Sequence, residues 1–567
     1  MPDNAAKRTP IAGEVFLRLL AEHGVDFFFA NPGTDFPPVV EAFSRGASGN
    51  ARLPRPILVP HENLAVAMAH GAYLITGRAQ AVMVHVSVGT ANTINNLTNL
   101  SRDRIPLLLA AGRTPITEQG SFGSRNRPIH WAQEMFDQAG MVRELVKWDY
   151  ELRTPSQIGD VVGRAFEVAM TSPRGPVYLV LPREPLSAPV SEMPPAPPRP
   201  VSAPPYPDPK AVGTLADWIA ASQRPLIIAS YAGIDSNAVA PLASLAERWA
   251  IPVVTPGPRT MCLPSSHPMH FGSEPGPLLA EADLVLVLES DVPWIPSLQG
   301  PSAGCRVVHL GEDPSYLRYP MRSFPNDLTI AASATTLLES LNQALADRTG
   351  DGETIAARRS SLAERAAARR TKLAEAGRNT GKKISPEYLS RAIGEAVGPD
   401  AIIFNEYPLM SDFCSREKPG TLFTLSPAGG LGWAVGAALG AKLAAPDRLV
   451  VATTGDGAYL FSNPTVCHWV EQAHDCPVLT IIFNNSRYGA VRKATLSMFK
   501  DGAAGEDDGQ LLADLSPSPP YEALVAAQGG FAERVEDPDA LPAALARARD
   551  AVLKERRQAL LNVICPY

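Results

Sequence analysis

Two short polar motifs in the last third of the chain have the residue types of a divalent-cation site. An apolar run at residues 449–454 leads into Gly455-Asp456-Gly457, and a second run, PVLTIIF, ends at Asn484 and Asn485, with 26 residues between Gly457 and Asn484. The intervening segment is long enough for a crossover helix, so both motifs are expected at the carboxyl edge of one parallel sheet. Asp456 and Asn485, with backbone carbonyls, would form an oxygen-only site that suits Mg²⁺.

A glycine-rich turn lies just upstream, in SPAGGLGWAVGAALGAKLAA. It precedes a predicted helix on which Gly432, Gly436 and Gly440 share one face. Free backbone amides at a helix N-terminus are a natural seat for a diphosphate, and Gly457 lets the neighbouring backbone approach a ligand closely. The sequence therefore predicts that Asp456 holds a magnesium ion, which in turn holds a diphosphate.

A second Gly-Asp-Gly, at residues 350–352, has a different context. No strand enters it, because ADRT precedes it and ETIAARR follows it. Turn chemistry alone explains such a motif. We therefore expect Asp351 to lie in a surface loop with no part in the cation site.

The elements that must position these residues alternate between strand and helix. The first block contains the strand-like runs DFFFANPG, PILVP, AVMVHVSVG, PLLLAAG and PVYLVLP, the second PLIIAS, IPVVT, DLVLVLE and RVVHLG, and the third AIIFNE, RLVVATTGD, PVLTIIFNN and ALLNVICP. This pattern predicts an α/β fold of three consecutive open domains with parallel sheets, the middle one Rossmann-like. No G-x-G-x-x-G follows a middle-block strand, so a dinucleotide there is not supported.

Composition marks the boundaries between these blocks. A proline-rich segment predicts an extended linker, and a charged, alanine-rich stretch predicts an exposed connecting helix. The expected organisation is a first domain at 1–185, the linker at 186–209, the middle domain at 210–348, the helical connector at 349–383 and the third domain at 384–567.

Composition also narrows the class of protein. The 567 residues are 45% hydrophobic and 19% charged, with a net charge of −7 and no basic run, so a nucleic-acid partner is not expected. No apolar run of about 18 residues predicts a membrane span, and the N-terminus lacks a signal-peptide core. The six cysteines form no C-x-x-C pair, which favours reduced thiols. We expect a cytoplasmic protein.

The motif GDG, 26 residues, NN resembles the cofactor motif of thiamine-diphosphate-dependent enzymes, and the three-block layout is similar to the 2-oxo-acid decarboxylase and acetohydroxyacid synthase family. The resemblance covers nearly the whole chain. It implies thiamine diphosphate and Mg²⁺ as cofactors, a pyrimidine-binding first domain and a diphosphate-binding third domain. It also implies an active site between two subunits, hence at least a homodimer, and we expect a homotetramer.

The resemblance assigns further residues by motif. Glu62, in HENLAVAMAHG, would bond the pyrimidine nitrogen and promote ylid formation, although a first-turn glutamate could also simply complement its helix dipole. In PAGGLG, Gly429 and Gly430 would bind the cofactor and Leu431 would bend it. The backbone carbonyl of Arg487 would be a third metal ligand beside Asp456 and Asn485.

The local matches are strongest to benzoylformate decarboxylase. They are NPGTDFPPVVEAF, where Thr34 stands in place of the usual serine, and HVSVGTAN, where His85 matches a catalytic histidine. His85 would donate a proton to the enamine left by decarboxylation; the alternative is a histidine bonded within the sheet edge. Two departures are Trp294, where the family's second histidine is expected, and the single His130-Trp131 in place of the paired histidines of pyruvate decarboxylases.

The resemblance implies a carbon–carbon lyase or carboligase acting on a 2-oxo acid. One alternative is an acetolactate-synthase-like transferase that joins two 2-oxo acids. The middle block lacks the glycine-rich segments associated with a bound flavin, so FAD is an open but unsupported addition. A second alternative is a non-catalytic, coenzyme-binding regulatory subunit, which would have no need of the acid Glu62.

Overall fold

The structure, a computed structural model, describes residues 9–48, 52–190, 200–506 and 511–566. Within these ranges the strands form three sheets in which every strand pair is parallel. Helices lie in most of the crossover connections that parallel pairing requires. The predicted fold class, three consecutive α/β domains with parallel sheets, is confirmed.

The first sheet has the strand order β2-β1-β3-β4-β6-β5. Its strands are β1 (Phe27–Asn31), β2 (Arg55–Leu58), β3 (Gln80–Val84), β4 (Leu107–Arg113), β5 (Asp149–Glu151) and β6 (Val177–Pro182). The helices of this region are α1 (Ala12–Glu22), α2 (Pro37–Ser48), α3 (Glu62–Thr76), α4 (Val86–Arg102), α5 (Ile129–Ala132), α6 (Ile158–Met170) and α7 (Arg183–Ser187). Strands β3 and β6 are buried along their whole length.

The middle sheet has the order β11-β10-β9-β7-β8. Its strands are β7 (Pro225–Ala229), β8 (Val253–Val254), β9 (Leu284–Leu288), β10 (Arg306–Gly311) and β11 (Leu328–Ala331). The helices are α8 (Pro209–Ala221), α9 (Val239–Trp249), α10 (Gly276–Glu281), α11 (Ala334–Ala344) and α12 (Gly352–Ala376). Trp294 is buried in the core of this domain, with its ring edge-on to Phe324 at 5.3 Å between centroids.

The third sheet has the order β13-β12-β14-β15-β17-β16. Its strands are β12 (Ile402–Glu406), β13 (Leu422–Thr424), β14 (Val450–Gly455), β15 (Leu479–Asn484), β16 (Phe531–Val535) and β17 (Ala559–Ile564). The helices of this region are α13 (Pro386–Val397), α14 (Ala434–Ala444), α15 (Asp456–Phe461), α16 (Pro464–Ala473), α17 (Gly489–Met498), α18 (Tyr521–Ala526) and α19 (Leu541–Leu553).

The chain packs into two compact units that do not follow the order of the sequence. One contains residues 1–203 together with 426–446 and 461–476, so helices α14 and α16 belong with the first sheet. The other contains the middle and third sheets, as residues 204–425, 447–460 and 477–567. Each unit thus has a core assembled from distant parts of the chain.

Glycines on α14 and α3 explain why α14 belongs to the first unit. A Cβ atom on Gly440 would lie 1.8 Å from the Met68 carbonyl oxygen, and one on Gly71 would lie 1.8 Å from the Ala437 carbonyl oxygen. Gly436 faces the side chains of Leu64 and Ala67 in the same way. Gly436 and Gly440 therefore let two helix backbones cross in contact. The prediction that Gly432 shares this helix face is wrong, because Gly432 precedes α14, has φ +79° and faces Phe461 and Ser462.

The segments predicted as connectors differ in how much the structure describes. Residues 191–199 of the proline-rich segment lie outside the described ranges, and residues 200–208 form neither helix nor strand. Helix α12 occupies the charged connector, and its Leu362 and Ala366 are buried in the middle-domain core. The domain boundaries remain a prediction. Among the described residues, no helix is both long and apolar enough to cross a membrane.

Asp351 begins helix α12. Its carboxylate accepts hydrogen bonds from the backbone amides of Glu353 and Thr354, at 3.1 and 3.4 Å, and from the Thr354 hydroxyl at 2.6 Å. The central residue of the second Gly-Asp-Gly is therefore the N-cap of α12. Its exposed carboxylate is used by its own helix.

Candidate functional site

Glu62 is buried at the first turn of α3, where β2 has delivered the chain to the carboxyl edge of the first sheet. Its two carboxyl oxygens each accept one amide hydrogen bond, from Asn31 Nδ2 at 2.9 Å and from Asn92 Nδ2 at 2.6 Å. A carboxylate oxygen has two acceptor positions. Glu62 is thus fixed in place and keeps acceptor capacity for a further partner.

His85 caps the N-terminus of α4, at the end of β3. Its Nδ1 lies 2.5 Å from Asp35 Oδ1, and its Nε2 lies 3.2 Å from Gln133 Nε2. Burial lowers the pKa of His85, but the hydrogen bond and charge of Asp35, with the charge of Glu62, outweigh it and raise the pKa above 6.5. The imidazole is therefore biased toward its protonated form.

A second histidine, His130, has a pKa that is shifted in the opposite direction. Burial and the charges of Arg183, Arg127, Arg125 and His85 lower its pKa below 6.5. The backbone amide of Asn126 donates to Nδ1 at 3.2 Å, which leaves the proton of the neutral ring on Nε2, 3.5 Å from Thr34 Oγ1. Two histidines with opposite pKa shifts are a frequent arrangement where protons are exchanged.

The segment PAGGLG docks on helix α4. Asn99 receives the Gly430 amide on its Oδ1 at 3.0 Å and donates to the Gly430 carbonyl at 2.8 Å. Asn95 donates to the Leu431 carbonyl at 2.8 Å. Gly429 has φ +71°, which a residue with a side chain rarely adopts. The turn that the sequence assigned to cofactor binding is thus held by two asparagines of the same compact unit.

Asp456 is the first residue of α15, at the carboxyl end of β14, and it is buried. Its Oδ2 has no hydrogen-bond partner among the described residues. Burial raises the pKa of Asp456 to about 6, although the backbone amides of Gly457, Ser486 and Arg487 oppose the shift. A buried carboxylate oxygen without a partner is an unstable arrangement on its own, and a bound cation would satisfy it.

The Asn-Asn motif lies at the same edge of the third sheet, because β15 pairs with β14. Asn484 is structural: it donates to Ser518 Oγ and Asn562 Oδ1 and accepts from Ser486. Among the described residues, Asn485 Oδ1 accepts one hydrogen bond, from the Arg487 amide at 3.0 Å. The Arg487 carbonyl accepts from Gly489 at 3.0 Å. Each oxygen retains a free acceptor position for a cation.

The predicted site residues thus fall into two groups. Glu62, His85 and Thr34 lie in one compact unit with Gly429, Gly430 and Leu431, and Asp456, Gly457, Asn485 and Arg487 lie together in the other. A Cβ atom on Gly457 would lie 2.6 Å from the Tyr488 ring, so a larger residue there would require this ring to shift. No cluster of three or more His, Cys, Asp or Glu side chains that could hold a metal occurs in the described ranges. The predicted ligand set contains only one such side chain.

Sequence reasoning missed the residues that hold the first group. They are Asn31, Asn92, Asp35, Gln133, Asn95 and Asn99, together with His130 as a partner of Thr34. Asn31 is the first residue of the NPGT motif at the end of β1 and Asp35 directly follows this motif, which was a detectable signal. Gln133 follows a four-residue helix in a long loop, where no periodicity indicates its neighbours.

Models of three protein domains match this chain in the order in which its sheets occur. They are the thiamine pyrophosphate enzyme N-terminal TPP binding domain over residues 11–141, the central domain over 212–341 and the C-terminal TPP binding domain over 407–563. The chain therefore belongs to the thiamine pyrophosphate enzymes, in the family of 2-oxo-acid decarboxylases and acetohydroxyacid synthases.

Relatives of both kinds are similar to this chain. A benzoylformate decarboxylase of Pseudomonas aeruginosa is 28% identical over 84% of this chain and 86% of its own length. A probable acetolactate synthase large subunit of Methanocaldococcus jannaschii is 25% identical over 98% and 92%. The solved structure of a thiamine-diphosphate-dependent 4-hydroxybenzoylformate decarboxylase of Rhodococcus jostii has the same fold, with a TM-score of 0.80 and 22% identity over 98% and 99%.

Proposed function

We propose that this protein is a Mg²⁺-dependent decarboxylase of a 2-oxo acid, with thiamine diphosphate as coenzyme. The observation that carries the proposal is Glu62, a buried acid held by two side-chain amides at the carboxyl edge of the first sheet. A glutamate that only complemented its helix dipole would need no such support. A purely regulatory, coenzyme-binding protein would not need the acid at all.

The third domain supplies residues that fit the coenzyme's metal-bound diphosphate. Asp456 Oδ2, Asn485 Oδ1 and the Arg487 carbonyl all have acceptor capacity for a Mg²⁺ ion, which takes few protein ligands. The unpartnered Oδ2 of Asp456 is the best support for this ligand set. Gly429, Gly430 and Leu431 would contact the rest of the coenzyme.

When bound, the coenzyme supplies a carbon nucleophile for the 2-oxo carbonyl and accepts the electron pair released as carbon dioxide leaves. Glu62 holds a proton at the coenzyme's ring nitrogen. His85, whose pKa is raised by Asp35 and Glu62 against its burial, returns a proton to the product carbon. Thr34 and His130 bind and orient the substrate beside it.

Two features favour a second copy of this chain as partner. In the family resemblance the active site combines the first domain of one subunit with the third domain of another. Phe122 and Phe136 are strongly exposed, at 85% and 111% relative accessibility, on the loop that also carries His130. Exposed aromatic side chains of this kind are typical of interfaces. We therefore propose a homodimer as the smallest active form, assembled further into a homotetramer.

A carboligase is the second candidate, because the acetolactate synthase relative covers nearly the whole chain. It would join two 2-oxo acids after the same loss of carbon dioxide. Buried Trp294 and the absence of a G-x-G-x-x-G motif give no support for a flavin in the middle domain.

The test is a screen of aliphatic and aryl 2-oxo acids with thiamine diphosphate and Mg²⁺, following both carbon dioxide and ligated products. We expect carbon dioxide and the corresponding aldehyde from at least one acid. Ligated product from pyruvate alone would favour the synthase. Calorimetry that detects no uptake of the coenzyme, even with Mg²⁺ in excess, would contradict the whole proposal.

A further inference from the structure

Both ring nitrogens of His85 have a partner, and each partner comes from a different segment. Asp35, in the turn after β1, approaches Nδ1 to 2.5 Å. Gln133, in the long loop after β4, approaches Nε2 to 3.2 Å. A ring held at both nitrogens cannot rotate about its χ2 angle without breaking one of these contacts.

Two glycines leave the space in which Asp35 and His85 make contact. Asp35 is 3% exposed, and a Cβ atom on Gly112 would lie 1.7 Å from its Oδ2. A Cβ atom on Gly33 would lie 2.1 Å from Nδ1 of His85. Both positions therefore have to be glycine for the pair to meet as it does.

The backbone beside the pair is strained. Val86 has φ +33°, which is rare for a β-branched residue, and its amide donates to Asp35 Oδ2 at 3.3 Å. Backbone strain of this type is concentrated at functional sites. The buried Asp35 carboxylate thus contacts the His85 ring through Oδ1 and the backbone amide of the strained Val86 through Oδ2.

Gln133 can serve His85 in either protonation state. Its Nε2 faces His85 Nε2, while its Oε1 is buried without a hydrogen-bond partner among the described residues. A half-turn of the terminal amide exchanges these two atoms at no change of shape. The amide NH₂ suits a neutral ring with a lone pair on Nε2, and the amide oxygen suits a cationic ring with a proton there.

We propose that Asp35 and Gln133 are positioning residues for His85. Asp35 keeps one proton on Nδ1 at all times, so the ring gains and loses its exchangeable proton at Nε2 alone. The Gln133 amide turns over with each change. Because this role requires a reaction in which His85 carries a proton, its purpose rests on the function proposed above.

Few charged groups act on His85. Asp35 and Glu62 favour its cation, burial disfavours it, and Gln133 contributes a neutral hydrogen bond. His130, which interacts electrostatically with His85, has its own pKa lowered and is neutral near pH 7. Burial is already the largest single influence, so once the Asp35 charge is removed only Glu62 and Gln133 oppose it, and the pKa of His85 should fall.

The test measures hydrogen–deuterium exchange at the imidazole Cε1 of each histidine by peptide mass spectrometry across pH, on the full-length protein. We expect His85 to titrate above 6.5 and His130 below it. A wild-type His85 that titrates at or below 6.5 would overturn the proposal. This reading needs no variant, coenzyme or substrate, so it stands or fails separately from the proposed function.

Three variants extend the test. Asp35→Asn should lower the pKa of His85 by about 1 unit or more, and Gln133→Ala should lower it less. The control is Asp26→Asn, which removes a carboxylate that binds Arg78 and not His85. This variant should leave the pKa of His85 unchanged.

In turnover, Asp35→Asn should move the alkaline limb of the kcat profile to lower pH by the same amount, since His85 must be protonated to act. An unchanged His85 titration in folded Asp35→Asn would refute the role of Asp35.

Discussion

Glu62 is a first-turn glutamate whose two carboxyl oxygens each accept a hydrogen bond from a side-chain amide, of Asn31 and of Asn92. We expect Glu62→Gln to bind thiamine diphosphate as the wild type does and to lose about 10²–10⁴-fold in kcat, because an amide cannot exchange the proton that the coenzyme ring requires. Calorimetry and turnover on the same preparation check both halves of the prediction.

The matched control is Glu387→Gln, in the first turn of α13. If complementing the helix dipole were the main role of Glu62, the two variants would behave alike, with small changes in stability and full turnover. Unchanged activity in Glu62→Gln would remove the proposed role of this residue.

Asp456 and Asp351 make a second matched pair, since each lies in a Gly-Asp-Gly. Burial raises the pKa of Asp456 from 3.8 to about 6, so its contribution to stability is present below about pH 4 and is lost as the pH rises through about 6. In the coenzyme-free protein at about pH 7.5, Asp456→Asn should therefore raise the thermal midpoint, by the equivalent of about 1–3 kcal/mol, and raise it less at about pH 5. The same variant should lose Mg²⁺-dependent coenzyme binding.

Asp351→Asn should do neither. Asparagine is as good an N-cap as aspartate, and Asp351 lies at the surface with its oxygens bonded to its own helix. Loss of coenzyme binding in Asp351→Asn, or its retention in Asp456→Asn, would contradict the assignment of the cation site.

The sequence predicted the positions of site residues that directly follow a strand. It did not predict the positions of site residues that are placed by the path of a loop. Asp456 and Asn485 were expected to meet because adjacent parallel strands end at one edge, and both follow the paired strands β14 and β15 at that edge. Asp35 and Gln133 meet His85 only through the path of two connections. No local periodicity encodes such a path, so neither residue was singled out.

Helices α3 and α14 cross at glycine residues. A single added methyl group at one of these glycines tests the contact. Gly440→Ala would place a Cβ atom 1.8 Å from the Met68 carbonyl oxygen. Backbone cannot yield as a side chain does, so we expect destabilisation of about 1–3 kcal/mol. Hydrogen exchange of peptides covering 62–76 and 434–444 should accelerate.

Gly213→Ala on α8 is the control, because no atom lies within 4 Å of the added Cβ. Alanine is the better helix former by about 1 kcal/mol, so this variant should be neutral or more stable. Equal protection of α3 and α14 in Gly440→Ala and wild type would show that the crossing is looser than described.

Among the strands, those that the sequence missed share a position. Each of β5, β11, β13 and β16 lies at the edge of its sheet. Edge strands are short and have one unpaired side, so they lack the continuous apolar run that indicates a central strand. The burial pattern of β5, intermediate at all three residues, illustrates the point. Central strands were predictable because burial on both faces selects their composition.

For the whole molecule, an active site shared by two copies has a measurable signature. Glu62→Gln and Asp456→Asn should each inactivate every site of the proposed homodimer. When the two are co-expressed, mixed dimers should contain one site with both residues intact, so activity should return to about a quarter of the wild-type value.

The control is a mixture of the two separately purified variants under conditions in which their subunits do not exchange. This mixture should stay inactive. If co-expression restores nothing although mixed dimers are isolated by differential tagging, the acid and the cation site must act within one chain. That result would leave the coenzyme assignment intact and overturn only the assembly.

The discontinuous first compact unit has a consequence for synthesis on the ribosome. Residues 1–203 emerge first, but helices α14 and α16, which complete their unit, follow only after residues 204–425. At about 5–20 residues per second, translation imposes a delay on the order of tens of seconds. During that time the face of α3 that packs on α14 is exposed to water and to chaperones, and the nascent chain should be most vulnerable to aggregation until α14 and α16 have emerged.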